Sequence, residues 1–175
     1  DDQMFYSICN QHFPASYDQF SLQVQKSIIY QNSPALFLWS QDAFFKLLDN
    51  YEDEFFVNEC IRRSAQFVIC KNVFLMSADL EYKDYKLSFT DYTRLLSLLE
   101  HSTDEYTFYH VVNIIGKSLK VTNVDDPLSI EQKGLVIGDA RRIVEKKLPT
   151  LSGIQHDGYK LICLAALDNA QKAYT

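Results

Sequence analysis

All five glycines of this chain (Gly116, Gly134, Gly138, Gly153 and Gly158) stand in its last 60 residues, and residues 1–115 contain none. Glycine is the default residue where a turn needs positive φ. A sandwich or barrel needs many such turns. A doubly wound α/β fold usually carries a glycine-rich strand-to-helix loop. Both architectures are therefore disfavoured, and long helices joined by short polar connections are expected.

Length and composition fit that expectation. At 175 residues and 47% hydrophobic, the chain has the size and apolar content of one globular domain. Its hydrophobicity excludes disorder as the main state. The predicted fold is all-α: a single bundle of six or seven helices over residues 1–175, without a substantial sheet and with an irregular segment at 1–17.

Charge and aromatics are unevenly placed. Residues 1–110 hold eight Lys/Arg against sixteen Asp/Glu, whereas residues 111–175 hold nine against seven. Of the 24 aromatic residues (Phe 12, Tyr 11, Trp 1), only Tyr159 and Tyr174 follow residue 110. An acidic surface argues against a general nucleic-acid binder, because phosphate contacts need clustered cations. It suits a basic protein partner instead.

Cys9, Cys60, Cys70 and Cys163 form no C-x-x-C pair, so a zinc or dithiol redox site has no support. No apolar run reaches the length of a membrane span, and no signal peptide is legible. These features predict a reduced, cytoplasmic setting, with Asp1 a mature or trimmed N-terminus.

Periodicity outlines the helices. Asp18 is a candidate cap for a helix carrying Phe20, Val24 and Ile28, which Asn32-Ser33-Pro34 is expected to end. Ser33 then caps a helix with Pro34 in its first turn. That helix, Ala35 to Leu48, is apolar nearly all round and is the expected centre of the core. A third helix opens in the acidic stretch 49–54, with Phe56, Cys60, Phe67 and Cys70 on its inner face. Residues 67–76 are ambiguous between helix and strand. Residues 77–87 read as a connection. Ser88-x-x-Asp91, Ser102-x-x-Glu105 and Ser129-x-x-Gln132 each resemble a capping box. The last of these helices runs to about Lys147, and a final one starts at Asp157 or Gly158.

Motifs that bear chemistry are weak. Gly116-Lys117-Ser118 lacks the earlier glycine of a phosphate-binding loop and reads as a helix end. His101 and His110 are nine residues apart, which is not the i, i+4 spacing of a zinc helix. With Glu105, His156 and Asp157 they are the only basis for a small hydrolase or metal-dependent enzyme. No nucleophile elbow accompanies His156-Asp157. An apolar-ligand carrier is a further alternative. Leu95-x-x-Leu98-Leu99 matches a docking helix but also any core helix.

The preferred reading is a non-enzymatic protein-binding domain without a cofactor or metal. Its candidate contact residues are Tyr51, Phe55, Phe56, Tyr82, Tyr85 and Tyr92, aromatic groups in acidic surroundings. The basic cluster Arg141, Arg142, Lys146 and Lys147 joins them. Within that cluster Arg141 and Glu145 have the spacing of a helical ion pair.

Two stretches resemble the helical core of the phlebovirus non-structural protein NSs. Ile28-Ile29-Tyr30-Gln31-Asn32-Ser33-Pro34, followed by Leu36-Phe37-Leu38-Trp39, is similar to that family's aliphatic-Trp-Pro-x-Gly-x-Pro stretch and aromatic helix. Here Tyr30 stands for Trp, Gln31 for the first Pro, and the Gly is missing. Arg141-Arg142 with Glu145-Lys146-Lys147, then Gly158-x-x-Leu161-Ile162-Cys163, resembles its basic and C-terminal helices. The intervening region is longer here than the family spacing. The resemblance implies a viral virulence factor that binds host proteins and antagonises innate immunity.

Overall fold

The computed structural model describes residues 21–70, 87–120 and 126–174. Tyr82, Tyr85, Asp18, the 1–17 segment, most of the 77–87 connection and residues 71–76 of the helix-or-strand segment lie outside them. The helix that carries Val24 and Ile28 is capped by Ser21, whose hydroxyl accepts from Val24 N–H at 3.4 Å, and not by Asp18 as expected. The described residues form seven α-helices and no strand. The all-α prediction holds. The chain divides into two compact units, residues 1–64 and 65–175.

In the first unit, α1 spans Leu22–Trp39 and α2 spans Gln41–Leu48. Pro34 does not end the first helix, as expected from its sequence, but sits inside it. Proline has no N–H to give the carbonyl of Tyr30. The buried Ser33 hydroxyl donates to that carbonyl instead, at 3.0 Å. The break falls at Ser40, whose extended backbone (φ −152°, ψ 105°) closes α1 and opens α2. Its N–H donates to Leu36 O at 2.8 Å, and its hydroxyl accepts from Ala43 N–H at 3.2 Å. The 35–48 segment is thus the end of α1 and the whole of α2, not one central helix. Folding the pair together buries Phe37 and Phe44 edge to face, centroids 5.2 Å apart.

Helix α3 (Glu54–Cys70) opens where Asp53 accepts from the Phe56 N–H at 3.1 Å. Residues 67–70 are helical, which resolves that part of the ambiguous segment. The inner face is Phe56, Cys60, Ile61, Ala65, Val68 and Ile69. Phe67 is exposed and Cys70 half-exposed, so these two do not belong to it. The hundred-degree step per residue puts Val68 on the face of Ile61 and turns Phe67 outward.

In the second unit, α4 (Phe89–His101), α5 (Glu105–Leu119), α6 (Ile130–Lys147) and α7 (His156–Lys172) pack together. A 3₁₀ turn, Leu148–Thr150, follows α6 and contains Pro149. Ser88 and Asp91 form a reciprocal capping box on α4, and Ser129 and Gln132 form one on α6. The Ser102 expectation fails. Ser102 ends α4, its hydroxyl donating to Leu98 O, and Asp104 caps α5. Only residues 102–104 separate the two helices, so Ser102 is taken up by the first.

Helix α5 is the most enclosed element of this unit, with Phe108, Val111, Val112, Ile114 and Ile115 almost wholly buried. Gly116 lies at its crossing with α7, where a Cβ would stand 3.0 Å from Ala166 O. Its lack of a side chain permits the close approach; no phosphate loop is formed. Leu95, Leu98 and Leu99 are fully buried, so this stripe packs the core.

Candidate interaction surfaces

The acidic turn 49–54 presents its neighbours in opposite senses. Phe56 points inward at 5% exposure, and the half-buried Tyr51 packs against it edge to face at 5.2 Å. Phe55, one residue earlier, stands 67% exposed among the exposed carboxylates of Glu52, Asp53 and Glu54. Lys26 anchors the turn from α1, its ammonium 2.7 Å from Asp53 Oδ2 and over the Phe56 ring. The hydrogen bond from Lys26, with that from the Phe56 N–H, holds the Asp53 carboxyl below its ordinary value. Phe55 is therefore an exposed ring on a braced turn.

The other predicted contact residues are distributed differently. Tyr92 is 3% exposed and is a core residue; burial raises its phenol pKa. Phe56 and Tyr92 are thus corrected from contact candidates to packing residues. Arg141 turns to Asp168 and Gln171 on α7 rather than to Glu145. Arg142 reaches Asp139 at 2.8 Å and stays largely exposed with Lys146. Lys147 is half-buried, and desolvation lowers its pKa against the pull of Glu100. The basic cluster is split by its own helix, leaving Arg142 and Lys146 on the outer side.

Trp39 is 47% exposed, although the sequence suggested a core position. The signal was Ser40: a helix that stops there leaves its last residue beyond the packed turn. Ile130, Leu135, Ile154, Leu161 and Ile162 are also exposed, at 49–95%. Leu161 and Ile162 are therefore not core residues of α7, whose buried line is Cys163, Leu167 and Ala170.

Of the histidines and carboxylates, the structure brings Glu105 and His156 together. His156 Nδ1 lies 2.7 Å from Glu105 Oε1, off the line of a hydrogen bond. The same carboxylate oxygen accepts from Gln155 N–H at 2.9 Å. Around it, Ser152 N–H donates to Thr103 O at 2.9 Å, and Glu105 N–H donates to Ser152 O at 3.2 Å. Gln155 N–H and Ser152 thus tie the α6–α7 connection to the start of α5. His101 sits near Ser97 O, His110 stacks on Tyr106, and Asp157 is exposed. Among the described residues no group of three or more His, Cys, Asp or Glu is placed to hold a metal. No described helix is long and apolar enough to cross a membrane.

No known protein family matches the chain, and no curated protein or solved structure does either.

Proposed function

We propose that this protein is a non-enzymatic protein-interaction domain whose contact surface is centred on Phe55. The carrying observation is its exposed ring within Glu52, Asp53 and Glu54, on a turn braced by Lys26 and by the inward Phe56. Burying a phenylalanine against a partner contributes about 1.5–3 kcal/mol. Truncating the central anchor of an interface costs binding about 2 kcal/mol or more. The acidic rim selects a basic partner surface and rejects acidic ones. Buried thiols at Cys60 and Cys163 fit a reducing, cytoplasmic setting. The NSs resemblance implies that the partner is a host protein of innate immunity.

The test is affinity purification from host cells with the native protein, Phe55→Ala and the Glu52→Lys/Glu54→Lys pair. A set of proteins retained by the native chain and lost by both variants supports the reading. Equal retention by Phe55→Ala overturns it. Because Phe55 is exposed, the variant keeps the native melting temperature, which separates lost binding from lost folding.

A catalytic reading has one observation in its favour, the Glu105–His156 contact. It predicts a turnover, against a panel of simple esters, that His156→Ala abolishes.

A further inference from the structure

We infer that the outer face of α6 is a self-association surface, on which a second copy of the chain docks antiparallel. Along this face lie Glu131, Gly134, Leu135, Gly138 and Arg142, all exposed. A Cβ built on Gly134 or Gly138 meets nothing within 4 Å. The two glycines stand one turn apart and leave the backbone bare, which lets another helix approach closely. Leu135, 56% exposed, stands beside them as the apolar knob.

The order of charges chooses the occupant. Two copies related by a two-fold axis across this face run antiparallel, and the contact is self-complementary. With the axis between Leu135 and Gly138, Leu135 of each copy covers Gly138 of the other. Glu131 of each then meets Arg142 of the other. A parallel arrangement would oppose Glu131 to Glu131 and Arg142 to Arg142. Arg142 already donates to Asp139 on its own helix at 2.8 Å, and its five N–H donors allow it to serve Glu131 of the second copy as well. One helix face is small beside a standard interface of about 800 Å² per partner, so the association is weak and concentration-dependent. It uses a different unit from the Phe55 surface, and either stands or falls without the other.

Sedimentation equilibrium from about 10 μM to about 1 mM tests the inference. The native chain associates as its concentration rises. Glu131→Arg and Arg142→Glu, each alone, weaken this at least about tenfold. An equimolar mixture of the two variants restores it, because each then offers the charge the other lacks. Gly138→Ala weakens association while raising the melting temperature, since alanine is the better helix former. A native chain that stays monomeric throughout, association unchanged by either charge reversal, or a mixture no tighter than its components would each overturn the inference.

Discussion

Gly153 runs directly beneath the Glu105 carboxylate. A Cβ on Gly153 would stand 2.6 Å from Glu105 Cγ and nearer still to Cδ and Oε2, and the backbone there has φ of 140°. Space and torsion both require glycine at this point. Gly153→Ala should destabilise the second unit by about 2 kcal/mol or more, read by urea denaturation. Glu105→Ala strips the Gln155 N–H of its acceptor and should cost about 1–3 kcal/mol. The double variant should cost less than the sum, because removing the carboxylate relieves the clash. Strict additivity would show that the two residues are not coupled.

Ser33 compensates for Pro34. Ser33→Ala should cost about 1–3 kcal/mol by leaving the Tyr30 carbonyl without a donor. In a Pro34→Ala background the cost should shrink, since residue 34 then has an N–H to supply. Equal costs in both backgrounds, by thermal denaturation, would contradict this account. Ser33 also contacts the Cys60 thiol, so some cost should persist.

Burial pushes the Cys60 and Cys163 thiols up to about 12 from an ordinary 9.0. Thiolate, the reactive form, is then about a thousandfold rarer than in an ordinary thiol. Peptide mapping after alkylation at neutral pH should find Cys70 modified well before either. Early labelling of Cys60 or Cys163 in the folded protein would refute the burial argument.

Asp53 titrates below its ordinary 3.8, chiefly because Lys26 donates to it. A depressed carboxyl stabilises the fold above its unfolded value and loses that contribution as pH falls through the folded one. The first unit should therefore weaken in acid below the ordinary aspartate range. Lys26→Met should move the Asp53 midpoint upward, as followed by carboxyl-carbon NMR. An unmoved midpoint would remove Lys26 as the cause.

How much was legible in sequence follows from how far each signal reaches. The Ser88–Asp91 and Ser129–Gln132 boxes span three residues, and both formed as read. Ser102 met a competing local demand from α4, which the pattern of one helix did not reveal. Among the contact residues, Phe55 and Phe56 are adjacent and chemically alike. One is exposed and one buried because successive side chains are a hundred degrees apart on the helix. Composition around them is the same, so only the packed face separates them. Arg141 and Arg142 divide in the same way, one toward α7 and the other toward solvent.

By itself, the sequence determined the all-α class and the helix starts at Ser88 and Ser129. Glycine scarcity and capping hydroxyls act within a turn or two, through backbone torsions and local hydrogen bonds. Tertiary structure alone decided which glycines matter and why. Gly153 is pressed against Glu105, Gly116 against Ala166, and Gly134 and Gly138 lie open on an outer face. The glycine cluster announced itself in the sequence as an absence of side chains. What fills or leaves that space is set by residues as many as fifty positions away, which only chain packing brings near.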